Sequence, residues 1–271
     1  MIFCSCILMC MSDYLEFSII LFYILCAILL WMYISANNKS NLSIVLIKSS
    51  WLLAISFHFL SLTEILVSNN VNMSLFNALS LVGFLLSTSV LITSFFSNTL
   101  YLGLIILPIN AVLFLFYNSD TQLVISDNNF IIGHIIASLI SYSVLGIGAT
   151  QALILKIKER QLQSNKISNF INALPSLDEL DRFLFNILFS GVVLLSLSLI
   201  SGLIFLDNIF STFILHKTIL SITAWMVFVL LLSGRLYYGW RGQKAANLAL
   251  IGFFVLFCSY FGAKSFVQIF F

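Results

Sequence analysis

The chain is a succession of long apolar runs separated by short polar stretches, with no sustained two-residue alternation. Eight runs reach or approach the ~20 residues that cross a bilayer as α-helix. They cover roughly 14–35, 42–66, 75–96, 100–117, 130–155, 183–205, 214–233 and 247–266. Between the third and fourth, only Ser97-Asn98-Thr99 breaks the pattern, and it must serve as the turn. The reading is an all-α fold, a polytopic membrane helix bundle of about eight transmembrane helices. Residues 14–271 are taken as a single membrane domain. Residues 1–13 are taken as an N-terminal extension that need not be structural. Met1 to Cys10 is apolar but lacks the basic residues that open a signal peptide, and Met11-Ser12-Asp13 offers a natural start.

Composition sharpens this picture. Of 271 residues, 61% are hydrophobic and 8% charged, against roughly 25% charged in a soluble domain. So few charges exclude a soluble enzyme and a nucleic-acid binder, and the long apolar helices exclude a β-barrel. The lipid bilayer is the first partner. The five cysteines contain no CxxC and read as small buried hydrophobes.

The distribution of charge gives an orientation. With the N-terminus outside, the inner loops hold all the Lys and Arg residues except Lys217 and Lys264, which lie near outer ends of spans. Asp120, Asp127 and Asp207 fall in outer loops. The positive-inside rule therefore gives an N-out, C-out topology. The longest connector, 156–182, is then cytoplasmic and reads as a solvated link. Within it, Ser176 and Glu179 have the spacing of a capping box and predict a helix start. No GxxxxGK[ST] occurs, and the GxG at Gly146 and Gly148 lies inside a span, so no phosphate site is expected.

The chain has three histidines, His58, His134 and His216. In this topology all three fall in the outer half of their spans. Titratable side chains within spans are costly and usually face a bundle interior or cavity. Imidazole is a ligand for haem iron and other transition metals. Histidines on separate helices suit the two faces of a planar macrocycle better than a zinc site, which favours two on one helix. Phe57, Phe59, Phe76, Phe130, Phe213 and Trp225 lie near the same level. The alternative is that each histidine is an interhelical hydrogen-bonding residue or an interfacial anchor, which suits His216, beside Lys217, best.

Other polar positions read more plainly. Glu64 suits the outer interface, and Lys217 either pairs with a ligand carboxylate or snorkels to the headgroups. Ser190-Gly191, Ser196, Ser198 and Ser201-Gly202 mark a face built for close helix packing. Tyr237-Tyr238-Gly239-Trp240-Arg241 reads as an inner-interface anchor.

Several stretches carry a family resemblance. They are His216-Lys217-Thr218-Ile219-Leu220-Ser221-Ile222-Thr223-Ala224-Trp225, Gly239-Trp240-Arg241-Gly242 and Ser259-Tyr260-Phe261-Gly262. His134, Ser138 and Tyr142 form an H-x-x-x-S-x-x-x-Y pattern, and Asp181 to Gly202 a further matching span. Together they resemble the YpjD-like inner-membrane proteins of the cytochrome c assembly (CcsA/HemX-like) family. That resemblance implies a bacterial inner (plasma) membrane location and a haem handled on the outer side by external histidines. It also implies cytochrome c assembly proteins or other membrane proteins as partners. Under it, His134 matches an external haem-ligand histidine, and Lys217 to Trp225 matches the stretch after the family's tryptophan-rich WWD segment. The segment 206–215 contains no tryptophan, so that platform is lacking. Gly234-Arg235 stands where the family has a transmembrane histidine, and no histidine follows Tyr260-Phe261-Gly262.

Two functional expectations follow. The first is a non-enzymatic, haem-binding or haem-handling cytochrome assembly accessory. Its cofactor would be haem, bound by His134, His58 and His216, with His134 and His58 as the iron ligands. The second is a cofactor-free accessory or regulatory subunit of a membrane partner such as a cation transporter. A transporter in its own right is less well supported, because intramembrane acidic relays are lacking and only Pro108 interrupts a span.

Overall fold

The computed structural model describes residues 2–35, 41–67, 75–116, 129–164, 169–205 and 212–262. Side chains are described for 15–35, 44–63, 76–116, 132–164, 170–204 and 217–260. The described residues are helical, without strands. In order the helices are α1 (Ile2–Ser35), α2 (Asn41–Val67), α3 (Leu75–Phe96), α4 (Gly103–Phe114), α5 (Asn129–Gln163), α6 (Asn169–Ala173), α7 (Leu177–Phe205), α8 (Thr212–Tyr238) and α9 (Gly242–Phe257). Seven are long and apolar enough to cross a membrane.

The expected fourth span is the exception. Leu100–Leu102 forms a 3₁₀ turn and runs into α4, giving a shorter apolar helix over Leu100–Phe114. At 1.5 Å per residue its described part reaches roughly 22 Å. Pro108 lies within it and removes one of its backbone donors. The polar break before it does form the turn. The Thr99 N–H donates to the Ser97 carbonyl at 2.8 Å, and Thr93 Oγ1 lies 3.2 Å from Thr99 Oγ1. At the N-terminus, α1 is helical from Ile2, through the segment read as an extension.

Chain contacts group into two compact units, Met1–Ile125 and Ser126–Phe271. In the first, α1 packs on α2 and α4, and α3 joins α2 to α4. The buried stripe of α1 is Ile19, Tyr23, Cys26 and Leu30, and that of α2 is Ile47, Trp51, Ala54 and His58. Both follow the three- and four-residue steps of a helix face. The opposite faces are apolar too: Leu21, Ile24, Ile28 and Met32 point outward, toward lipid.

In the second unit, α5, α7, α8 and α9 form a closed ring of helix pairs, with α5 and α7 the most extensively paired. Small residues set that contact. A Cβ on Gly191 would meet Leu145 Cδ2 at 2.6 Å, so glycine lets α7 approach α5 there without displacing that leucine. Ser190, in contrast, is exposed.

The expected capping box opens α7. The Glu179 N–H donates to Ser176 Oγ at 3.3 Å, and the Ser176 N–H to Glu179 Oε2 at 3.2 Å. Replacing Ser176 with alanine is expected to destabilise this helix start by about 1 kcal/mol, seen as faster amide exchange over Leu177–Leu180. The connector before it is less solvated than its composition suggested. Ile171 and Leu174 are buried, and Lys158, itself buried, donates to the carbonyls of Leu174 (3.1 Å) and Pro175.

Candidate functional site

By the positive-inside rule, the outer end of the second unit is where α5 and α8 begin and α7 ends. His134 stands in the second turn of α5, half-buried. Its Nδ1 lies 2.9 Å from Ser201 Oγ on α7. One turn further along α5, Ser138 Oγ donates to the His134 carbonyl at 2.8 Å and lies 2.7 Å from Ser198 Oγ. The ring also has a hydrogen bond to the backbone of Ser198. The ring lines a cleft of about 240 Å³ between α5, α7 and α8, walled by Leu195, Leu199, Leu203 and Ile222.

Lys217 brings a positive charge to the same cleft. Its Nζ lies 4.8 Å from the centre of the Tyr260 ring, which meets Tyr142 edge-on at 5.7 Å. Ser259 Oγ donates to the Lys217 carbonyl at 2.8 Å and lies 2.7 Å from Ser221 Oγ. These bonds tie the π-helical turn Cys258–Gly262, which follows α9, to the start of α8. Trp225 is drawn into α7, its Nε1–H donating to Ser196 Oγ at 2.8 Å.

The other two histidines are placed differently. His58 is in the core of the first unit, 1% exposed. Its Nδ1 lies 2.8 Å from the Tyr23 hydroxyl and its Nε2 2.8 Å from Ser80 Oγ. Tyr23, Phe84 and Phe114 meet it edge-on at 5.7, 5.5 and 5.0 Å. Ligation by His58 would first have to release one of those hydrogen bonds. Of the aromatic residues expected near it, Phe57 stacks on Phe22 at 5.3 Å, while Phe59 and Phe76 are exposed. His216 is in the second turn of α8, one residue before Lys217. Its side chain, with those of Glu64, Phe130 and Phe213, lies outside the described ones.

The residues around His134 escape a residue-by-residue reading, although a signal was present. His134, Ser138 and Tyr142 recur every four residues, and Ser198 and Ser201 are three apart. Such spacings put them on single faces of α5 and α7. The inner end held a second surprise. Asp181 is buried, receives Arg235 at 2.7 Å and Arg241 Nε at 3.4 Å, and accepts the Gly242 N–H at 3.2 Å. Arg241 also pairs with exposed Asp178 at 2.8 Å. Gly239 (φ 64°) and Gly242 (φ 60°) adopt left-handed backbone, and the tight turn they permit folds Arg241 back onto α7. The aromatic–basic stretch is therefore only partly an interfacial anchor: Tyr237 and Tyr238 are exposed, while the arginines lock helix ends together. Among the described residues, no three His, Cys, Asp or Glu side chains group as a metal-ion site.

A family model described as Cytochrome C assembly protein matches residues 43–270. The chain belongs to the cytochrome c assembly family. The inner membrane protein YpjD of Escherichia coli K12 is 34% identical over 200 residues, 71% of this chain and 74% of that protein. The cytochrome c biogenesis protein CcsA of Chlamydomonas reinhardtii is 29% identical over 141 residues, 51% of this chain and 38% of its own length. CcsA of Prochlorococcus marinus MED4 is 33% identical, with 48% and 45% covered. This chain thus spans less than half of those two CcsA proteins. No solved structure matches it. With seven helices long enough to cross a bilayer, this family member is a multi-pass inner-membrane protein.

Proposed function

We propose that this cytochrome c assembly family member handles haem at the outer end of its C-terminal bundle, by binding and not by turnover. The observation that carries the reading is the arrangement of His134. One imidazole nitrogen is held by Ser201, and the ring lines an apolar cleft that Lys217 also reaches. That donor set fits haem. A neutral imidazole nitrogen ligates iron, apolar walls suit the macrocycle, and an ammonium suits a propionate carboxylate. When bound, haem would supply the iron centre to be delivered or held. The protein's own part is to hold His134 in place, to shield one edge of the macrocycle, and to pair a carboxylate with Lys217.

The cleft is smaller than the roughly 300–1,000 Å³ of sites that enclose a cofactor. It suits a haem gripped at one edge and passed on to other cytochrome c assembly components. His134 is the proposed iron ligand. His216, next in sequence to the cleft residue Lys217, is a better second candidate than His58, whose nitrogens are both in use.

The test is to purify the protein in mild detergent from haem-replete cells and measure the haem-to-protein ratio. A Soret band is expected in the wild type and is expected to be lost in His134→Ala. A wild type without that band overturns the reading.

The small volume of the cleft favours one other reading, a cofactor-free accessory or regulatory subunit of a membrane partner such as a cation transporter. A stoichiometric partner co-purifying without haem, with histidine replacements tolerated, would establish it.

A further inference from the structure

We propose that Ser201 is a positioning residue that fixes His134 in the tautomer carrying its proton on Nδ1, leaving the Nε2 lone pair for a ligand. Hydrogen-bond direction carries the argument. Ser201 Oγ lies 2.8 Å from the carbonyl of Ser198 and 2.9 Å from His134 Nδ1. A carbonyl only accepts, so the single hydroxyl proton of Ser201 goes to Ser198. What Ser201 Oγ turns toward the imidazole is a lone pair, and Nδ1 must donate to it. A neutral imidazole has one N–H, so Nε2 is left unprotonated.

A second pair of serines runs alongside. Ser138 Oγ donates to the His134 carbonyl, so it accepts from Ser198 Oγ 2.7 Å away, and the two helices are joined by hydroxyls of fixed direction. Gly202 sets the ring's position. A Cβ there would come 2.9 Å from His134 Cε1, closer than real Cβ contacts allow, so only glycine lets the imidazole rest against α7 while keeping its bond to Ser201. Free imidazole in water favours the opposite tautomer. The device therefore has a consequence that packing alone would not produce.

The purpose of this device rests on the haem reading, but the tautomer itself does not. The protein has three histidines, which makes the test direct. Protein labelled with ¹⁵N-histidine, in detergent at about pH 8 and so above the usual histidine range, is examined by long-range ¹H–¹⁵N correlation. The His134 signals are those missing from His134→Ala. The wild type is expected to show Nδ1–H. Ser201→Ala is expected to shift His134 toward Nε2–H, and Ser201→Thr, which keeps the hydroxyl, to restore the wild-type pattern.

A wild type with Nε2–H, or a Ser201→Ala spectrum unchanged from wild type, overturns the proposal. In haem-replete preparations, Ser201→Ala is expected to weaken haem binding about 10-fold or more, with Ser201→Thr near wild type. If the tautomer behaves as expected but no preparation holds haem, the haem reading fails and the tautomer assignment stands. If haem binds equally to wild type and Ser201→Ala, the positioning role fails and the haem reading stands.

Discussion

Replacing Asp181 with alanine is expected to destabilise the C-terminal bundle by about 3 kcal/mol, the cost of stranding the partner of a buried ion pair. Asp181 ties three things to α7: the end of α8 through Arg235, the turn through Arg241, and the first N–H of α9 through Gly242. Without the carboxylate, Arg235 keeps its place over the Phe185 ring at 4.4 Å and its bond to the Trp240 carbonyl at 3.3 Å. That residual support sets the expected loss at the lower end of the range for broken buried pairs. Asp181→Asn keeps an acceptor for Gly242 but loses the charge, and should fall between alanine and wild type. The contrast is Asp178→Ala, which removes an exposed partner of Arg241 and should cost less than 1 kcal/mol. Reversible denaturant unfolding in detergent measures all three. Equal effects at positions 178 and 181 would refute the buried-anchor account.

His58→Ala is expected to be nearly as damaging, with a cost of about 3 kcal/mol confined to the N-terminal unit. The physics differs because there is no driving force for transferring apolar surface from lipid into the protein core. The loss comes from a cavity among Tyr23, Phe84 and Phe114. It comes also from the hydroxyls of Tyr23 and Ser80, which lose a partner where no water can replace it. His58→Gln, which retains a donor and an acceptor, should recover part of the loss. Haem content per folded molecule should be unchanged in both variants, in contrast to His134→Ala. A His58→Ala protein of wild-type stability that has lost its haem would assign His58 to ligation and overturn this structural role.

Much of the molecule is legible in the chain alone, for identifiable reasons. Spanning helices must satisfy every backbone group internally and be long enough for the bilayer, so seven of the expected spans appear as long apolar helices. The capping box at Ser176 and the turn at Ser97-Asn98-Thr99 are local hydrogen-bonding patterns, and local patterns are written in adjacent residues. Pro108 and the short polar break before it are also local. Their consequence, a shorter fourth apolar helix among the described residues, was not evident from mean hydropathy, which counts apolar residues and not their helical continuity.

The family was likewise accessible to sequence, because its motifs are short patterns of adjacent or regularly spaced residues. What only the tertiary structure decided is which face of each helix is inside and which distant residues meet there. In a soluble protein an apolar stripe marks the buried face. Here both faces of α1 are apolar, and lipid and core are equally good solvents for them, so the pattern carries no direction. The interior is marked instead by small and polar groups that find partners far along the chain: His134 with Ser201, Asp181 with Arg235, and His58 with Tyr23. Those pairings made two histidines that looked alike in sequence into one that lines a cleft and one with no nitrogen to spare.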